Sequence, residues 1–142
     1  MAGPIGNAVV GQSGGPTAVI NRSFIGVIKE AREHPEIKEL FGARHGIQGM
    51  LNDEYVSLFD QPNFVLDQIA LTPGAALGSV RKKPTKEECK MIFENFKKKD
   101  VRYFFYIGGN DSAETAHVIN QFAHDAQYEL RVVHIPKTID ND

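Results

Sequence analysis

Apolar and polar positions divide this chain into short continuous apolar runs and longer segments with helical spacing. Asn7 to Val10, "NAVV", reads as a short strand stopping at Gly11. After a Gly/Ser/Pro-rich turn comes "TAVINRSFIGVIKEAREH", in which Ile20, Ser23, Phe24, Val27, Ile28 and Ala31 recur along one helix face until Pro35 ends it. A weaker strand is expected near Ile37 to Arg44, and a short helix over Asn63 to Ala70, before the glycine-rich "LTPGAALGSVRKKP". The next helix has the sharpest start. Thr85 and Glu88 have the spacing of a reciprocal capping box, and Cys89, Ile92, Phe93 and Phe96 form the inward stripe. Lys97, Lys98 and Lys99 fall in its last turn, where cations suit the negative end of the helix dipole. "VRYFFYI" then has the length and composition of a strand, "SAETAHVINQFAHDA" is helical, and "LRVVHI" is strand again.

Strands alternating with helices, each strand a continuous apolar run, predict an α/β fold: an open, mostly parallel sheet with helices on both faces. In such sheets ligands bind outside the carboxyl ends of the strands. Three turns fall at such ends, "GQSGGPT", "GGNDS" and "PKTIDND", and are expected to converge on one crevice.

Composition narrows the picture. With 142 residues, 42% hydrophobic and 24% charged, the chain has the size of one globular domain. Its 16 basic and 18 acidic side chains are interspersed, so no general basic surface for nucleic acid is implied, and any polyanion must be met locally. The single cysteine, Cys89, cannot form an internal disulfide, and "MAGPIGNAVVGQSGG" lacks the pattern of a signal peptide, which makes the cytoplasm the expected location. No apolar run approaches the roughly 20 residues that span a bilayer. The five histidines show no metal-ligand spacing.

In the first turn, Gly11, Gly14 and Gly15 let backbone N–H groups approach a ligand, and the helix that follows adds the positive end of its dipole. Phosphate is the natural ligand, although a tight turn alone would explain the glycines. The stretch matches neither the dinucleotide fingerprint nor the P-loop. The second turn enters a helix with an acid, Asp111, for which an N-cap role, shared with Asn110 or Ser112, is the simpler explanation. A carboxylate 4 Å from a phosphate charge would cost about 4 kcal/mol at an effective dielectric near 20, so something positive must lie between them. Mg²⁺, Lys137 or Arg81 would serve. In the third turn Asp140 and Asp142 stand two apart, Thr138 two before the first, and Lys137 beside it. Such a group can take a proton from an alcohol and meet phosphate oxygens, as phosphoryl transfer requires, though a polar turn would look similar.

The segments "GGPTAVIN", "GSVRKKP", "GGNDS" and "PKTIDND", in this order, resemble the 6-phosphofructokinases over essentially the whole chain. The resemblance implies that residues 1–142 are the Rossmann-like, three-layer amino-terminal portion, carrying donor-binding and catalytic residues and truncated after "PKTIDND". It further implies phosphorylation of the 1-hydroxyl of fructose 6-phosphate from pyrophosphate or ATP with Mg²⁺, a glycolytic transferase reaction. By that resemblance Asp140 is the general base, Asp142 supports it, and Lys137 meets phosphate oxygens; Thr138, with Asp140 and Asp142, contacts the sugar phosphate. Gly11, Gly14, Gly15, Arg81, Asp111 and Ser112 would hold the donor, and Asn110 and Asp111 the metal.

Asp111 replaces a glycine of the ATP-using bacterial members, and with Lys137 and the "GGPTAVIN" form of the first turn it favours pyrophosphate. An ATP-dependent phosphofructokinase is the near alternative, and a non-catalytic regulatory subunit the alternative of another class. Against the latter, Asp140 and Asp142 are both intact. Two departures stand out. Asn110 replaces the family's metal-binding acid, and the chain ends at Asp142 although the family's sugar site needs later residues and, commonly, a neighbouring subunit. A homo-oligomer is therefore expected for the full-length protein, and little turnover for these 142 residues alone.

Overall fold

The computed structural model of the chain describes residues 4–12, 18–43, 47–59, 84–108 and 110–136. Five strands, β1 (Gly6–Gln12), β2 (Ile37–Ala43), β3 (Tyr55–Ser57), β4 (Val101–Gly108) and β5 (Arg131–Pro136), form one sheet in the order β3-β2-β1-β4-β5. The pairings β1–β2, β1–β4 and β4–β5 are parallel; β3 runs antiparallel to β2 at the edge. Among the described residues four helices accompany them: α1 (Ala18–Arg32), α2 (Ile47–Asn52), α3 (Lys86–Lys98) and α4 (Asn110–Asp125).

Both faces of the sheet are covered, and alternation along the strands sorts the core into two clusters. Ala8 and Val10 pack with Ile25, Val27, Ile28 and Ala31 of α1 on one face. Val9 points the other way, toward Met50 of α2, the α3 stripe Cys89, Ile92, Phe93 and Phe96, and Ala116, Ile119 and Ala123 of α4. The expected inward stripe of α3 is thus buried in full. Of the α1 positions expected to face inward, Val27, Ile28 and Ala31 are buried; nothing is described of the side chains of residues 20, 23 and 24. In β4 the register against β1 shifts between Asn7 and Ala8, so Val101 shares a face with Phe104 and Tyr106 despite its odd number.

The start of α3 is the expected capping box. Thr85 Oγ1 accepts the Glu88 N–H at 3.1 Å, and Glu88 Oε1 accepts the Thr85 N–H at 3.0 Å. Beyond α2, α3 and α4 the chain turns through Asp53, Asp100 and Gln127, each near φ 55–59°, the left-handed conformation that lets a helix stop and its last carbonyls find partners. On the α1 side, Tyr103, Phe105, Val133 and Ile135 of β4 and β5 line an open apolar groove of about 560 Å³. The helix α2 and strand β3 had no counterpart in the sequence reading, and the helix expected over Asn63 to Ala70 lies outside the described residues.

Candidate active site at the carboxyl ends of β1, β4 and β5

Strand order locates the crevice. From β1 the chain moves through α1 to β2, and from the neighbouring β4 it moves the opposite way through α4 to β5. Right-handed crossovers running in opposite directions put α1 and α4 on opposite faces, and the sheet opens where the direction reverses. That point is the carboxyl end of β1 and β4.

Register brings the three strand ends level. Gln12 pairs with Ile107, Ile107 with Ile135, and Gly108 with Pro136. At about 4.8 Å between neighbouring strands, the ends of β1 and β5 lie on the order of 10 Å apart. The turns after Gln12, Gly108 and Pro136 therefore leave from one rim. Both α1 and α4 begin at that rim, so two positive helix ends approach it from opposite faces.

One residue below the rim, Gly11, Tyr106 and His134 stand side by side across three strands. Tyr106 is buried and stacks on Phe104, ring centroids 5.3 Å apart at 24°, and Phe104 in turn meets Phe96 of α3 at 5.0 Å. A Cβ on Gly11 would point at Met50 Cε (3.4 Å) and the Tyr106 ring (3.5 Å), that is, into the core. Gly11 thus offers a ligand only its backbone. Met50 is held in place from behind, since Asn95 of α3 donates its side-chain N–H groups to the carbonyls of Met50 and Leu51 at 3.0 and 3.4 Å.

Asn110, Asp111 and Ser112 are the first three residues of α4. The three positions expected to share an N-cap role lie inside the helix, where backbone N–H groups lack intrahelical acceptors and an acid suits the dipole. Ser112 is 2% exposed, and its Oγ lies 3.2 Å from Nε2 of His134 on β5. Sequence reasoning passed His134 over as a histidine without metal-ligand spacing. The available signal was positional: His134 shares the parity of Val132, which packs on the α4 side, and stands two residues before the strand ends. Gly14, Gly15, Arg81, Lys137, Thr138, Asp140 and Asp142 lie outside the described residues.

The phosphofructokinase family profile matches residues 7–142. The chain belongs to the phosphofructokinase family. It is 45% identical over 137 residues to the pyrophosphate–fructose 6-phosphate 1-phosphotransferase of Rhodospirillum rubrum, an alignment spanning 96% of this chain and 34% of that protein. The protein of the same description from Xanthomonas campestris is 43% identical over 142 residues, with the same coverage of both chains. Among solved structures, the pyrophosphate-dependent phosphofructokinase of Marinobacter aquaeolei superposes with a TM-score of 0.89 at 41% identity, over 96% of this chain and 34% of that one. The chain thus spans about a third of the length of the relatives it matches. The open, mostly parallel phosphofructokinase sheet with helices on both faces is the architecture expected from the sequence.

Among the described residues no three His, Cys, Asp or Glu side chains converge on a metal site, and no helix is long and apolar enough to cross a membrane. Residues 110 and 111, the first two of α4, are an asparagine and an aspartate, residue types of the kind that a hard ion such as Mg²⁺ takes, one or two at a time, beside phosphate oxygens and waters.

Proposed function

We propose that the protein transfers a phosphoryl group from pyrophosphate to the 1-hydroxyl of fructose 6-phosphate, giving fructose 1,6-bisphosphate in the glycolytic direction or the reverse. The observation that carries this reading is the 45% identity, over 96% of the chain, to a protein described as that transferase. The reversal of strand order between β1 and β4 supports it, because it supplies a crevice with two helix amino ends for a small polyanion.

In this reading the backbone of Gly11, Gly14 and Gly15, the first turn of α4 with Ser112, and Arg81 hold the donor. Asp140 takes the proton of the attacking hydroxyl, Asp142 supports it, Thr138 contacts the sugar phosphate and Lys137 meets phosphate oxygens. Asn110 and Asp111 would hold Mg²⁺, which when bound neutralises charge developing on the transferred group. Asp111 also narrows the donor pocket where a nucleotide would lie. The protein acts in the cytoplasm as a homo-oligomer, and the remaining length of polypeptide seen in its relatives completes the sugar site.

The test is phosphorylation of fructose 6-phosphate with Mg-pyrophosphate against Mg-ATP, read by coupling fructose 1,6-bisphosphate formation to NADH oxidation. Turnover with pyrophosphate and little with ATP is expected; preference for ATP overturns the donor assignment, and turnover with neither overturns the function. Asp140→Asn should lower kcat by about 10²- to 10⁴-fold, the usual worth of a general base. Asp111→Gly should shift preference toward ATP, and an unchanged preference would refute the size argument.

A further inference from the structure

We propose that the open groove on the α1 side of β4 and β5 is the seat of a helix from the polypeptide that follows residue 142 in the full-length protein. The inference rests on residues 1–142 being the amino-terminal portion, and not on the reaction proposed above. Parallel sheets are apolar on both faces and need helices over both. Among the described residues α2, α3 and α4 all pack on one face, leaving α1 alone on the other. There α1 covers β1 with Val27, Ile28 and Ala31, and toward β5 the sheet lies open. Val133 is 42% exposed, and Tyr103, Phe105 and Ile135 are only partly buried. With the flank of α1 these four line a recess of about 560 Å³. Two strands at ~4.8 Å spacing are about 10 Å wide, roughly the diameter of one helix.

Gly26 marks where the occupant comes close. It lies inside α1, where glycine weakens a helix relative to alanine, and it lines the groove. A Cβ built on it meets nothing within 4 Å, so the packing around it does not call for a glycine. On the wall of an apolar recess, a missing side chain lets a second helix approach the α1 backbone closely. Toward the amino ends of the strands the groove turns polar, lined by Glu30, Glu36 and Arg131. The occupant should therefore carry an apolar stripe that ends in charged residues. The relatives have the polypeptide to supply it: the matched region is 34% of their length, so about two thirds of each lies outside it. A second copy fits less well, because an isologous contact would require the same recess to fill itself across a two-fold axis.

The experiment is photo-cross-linking in the full-length protein, with Val133 replaced by an aliphatic diazirine amino acid and the products separated under denaturing conditions. The expected product has the mass of one chain, and its cross-linked peptide lies beyond residue 142 with apolar residues at helical spacing. A product of twice that mass assigns the groove to a second copy; a cross-link confined to residues 1–142, or reaction with water alone, leaves no docked segment. Each of these three overturns the proposal. Gly26→Leu should lower the Tm of the full-length protein by about 2 °C or more, by forcing a side chain into the contact. On a bare helix face leucine is the better helix former, so a raised Tm also overturns it. Should either variant fail to fold, the same probe at position 135 and carbene footprinting of the wild type take its place. Val133 and Ile135 should then be labelled at least ~10-fold less in the native protein than in the unfolded chain, and equal labelling refutes a covered groove. None of these readouts uses turnover, so failure of the proposed reaction leaves them standing.

Discussion

Replacing each of two glycines of β1 by alanine should have opposite consequences, and the structure gives the reason. At Gly6 a new Cβ would collide with the Arg102 side chain and would lie 2.7 Å from the Asp100 carbonyl oxygen. The side chain can swing away; the carbonyl cannot. That oxygen accepts the Asn7 N–H at 2.9 Å, and Asp100 is held at φ 55° in the turn that ends α3. Relief must therefore either open this hydrogen bond, at about 1 kcal/mol, or shift backbone in a closed register, at about 1–3 kcal/mol. Against this stands a gain of at most about 1 kcal/mol from the reduced freedom of the unfolded chain. Gly6→Ala should thus cost about 1 kcal/mol, or roughly 3 °C in Tm for a domain of this size. At Gly11 the nearest atoms to a new Cβ lie at 3.4–3.6 Å, ordinary contact distance, and are side-chain atoms of Met50 and Tyr106. Burying one methyl contributes about 0.8 kcal/mol and the unfolded-state term adds to it, so Gly11→Ala should be neutral or stabilising. Urea and thermal unfolding of the two variants decide the matter. A stable Gly6→Ala, or a Gly11→Ala destabilised by more than about 1 kcal/mol, would show that the packing beneath the rim is not as described. Loss of pyrophosphate turnover in a fully stable Gly11→Ala would place the role of that glycine in the backbone geometry of the turn.

Thr85→Ala should cost about 1 kcal/mol, since it removes half of the capping box at α3, and Thr85→Ser should recover most of it; an unchanged unfolding midpoint would refute a stabilising box. Burial, with a smaller contribution from the Glu88 carboxylate, pushes the Cys89 thiol up to about 11. The neutral thiol is thus favoured in the fold, so the stability linked to it is intact below the unfolded value near ~8.5 and is lost as pH rises from there to about 11. Alkylation of the native protein at pH 8 should run at least ~100-fold more slowly than that of the unfolded chain, and comparable rates would sink the assignment.

Much of the fold was legible because its main elements are long enough for their period to appear. Continuous apolar runs gave β1, β4 and β5, and the face repeated in α3 emerged with its cap. The element α2 escaped because six residues with Gly49 in the middle make less than two turns. β3 escaped because three residues cannot show alternation, and it owes its existence to pairing with β2. The two-face sorting of β4 was also hidden, since the register shift that realigns Val101 with Phe104 depends on a neighbouring strand. At the site, glycines and acids marked the turns, whereas the partnership of Ser112 and His134, 22 residues apart, exists only once α4 has crossed over to β5. Local patterns carry the elements; strand order and register bring distant residues together.

The two edges of the sheet divide the protein's work. At the amino ends of the strands, hydrogen bonds close the structure. Asn7 Nδ2 reaches the Lys99 carbonyl at 2.6 Å, Tyr103 Oη the Pro4 carbonyl and Tyr128 Oη the Val101 carbonyl, each at 2.7 Å, and Gly6 N–H the Glu36 carbonyl at 3.0 Å. These contacts join segments up to 99 residues apart, so they carry fold stability and have no route to a ligand on the opposite edge. At the carboxyl ends the order inverts: β1 and β4 give way to α1 and α4, whose first backbone N–H groups no intrahelical carbonyl can satisfy. Two positive helix ends give such a rim a bias toward anions. The aromatic stack of Phe96, Phe104 and Tyr106 beneath it ties β4 to α3 and so fixes where that rim lies. An apolar strand thus runs directly toward the start of a helix at the rim, and the first fixes the position of the second.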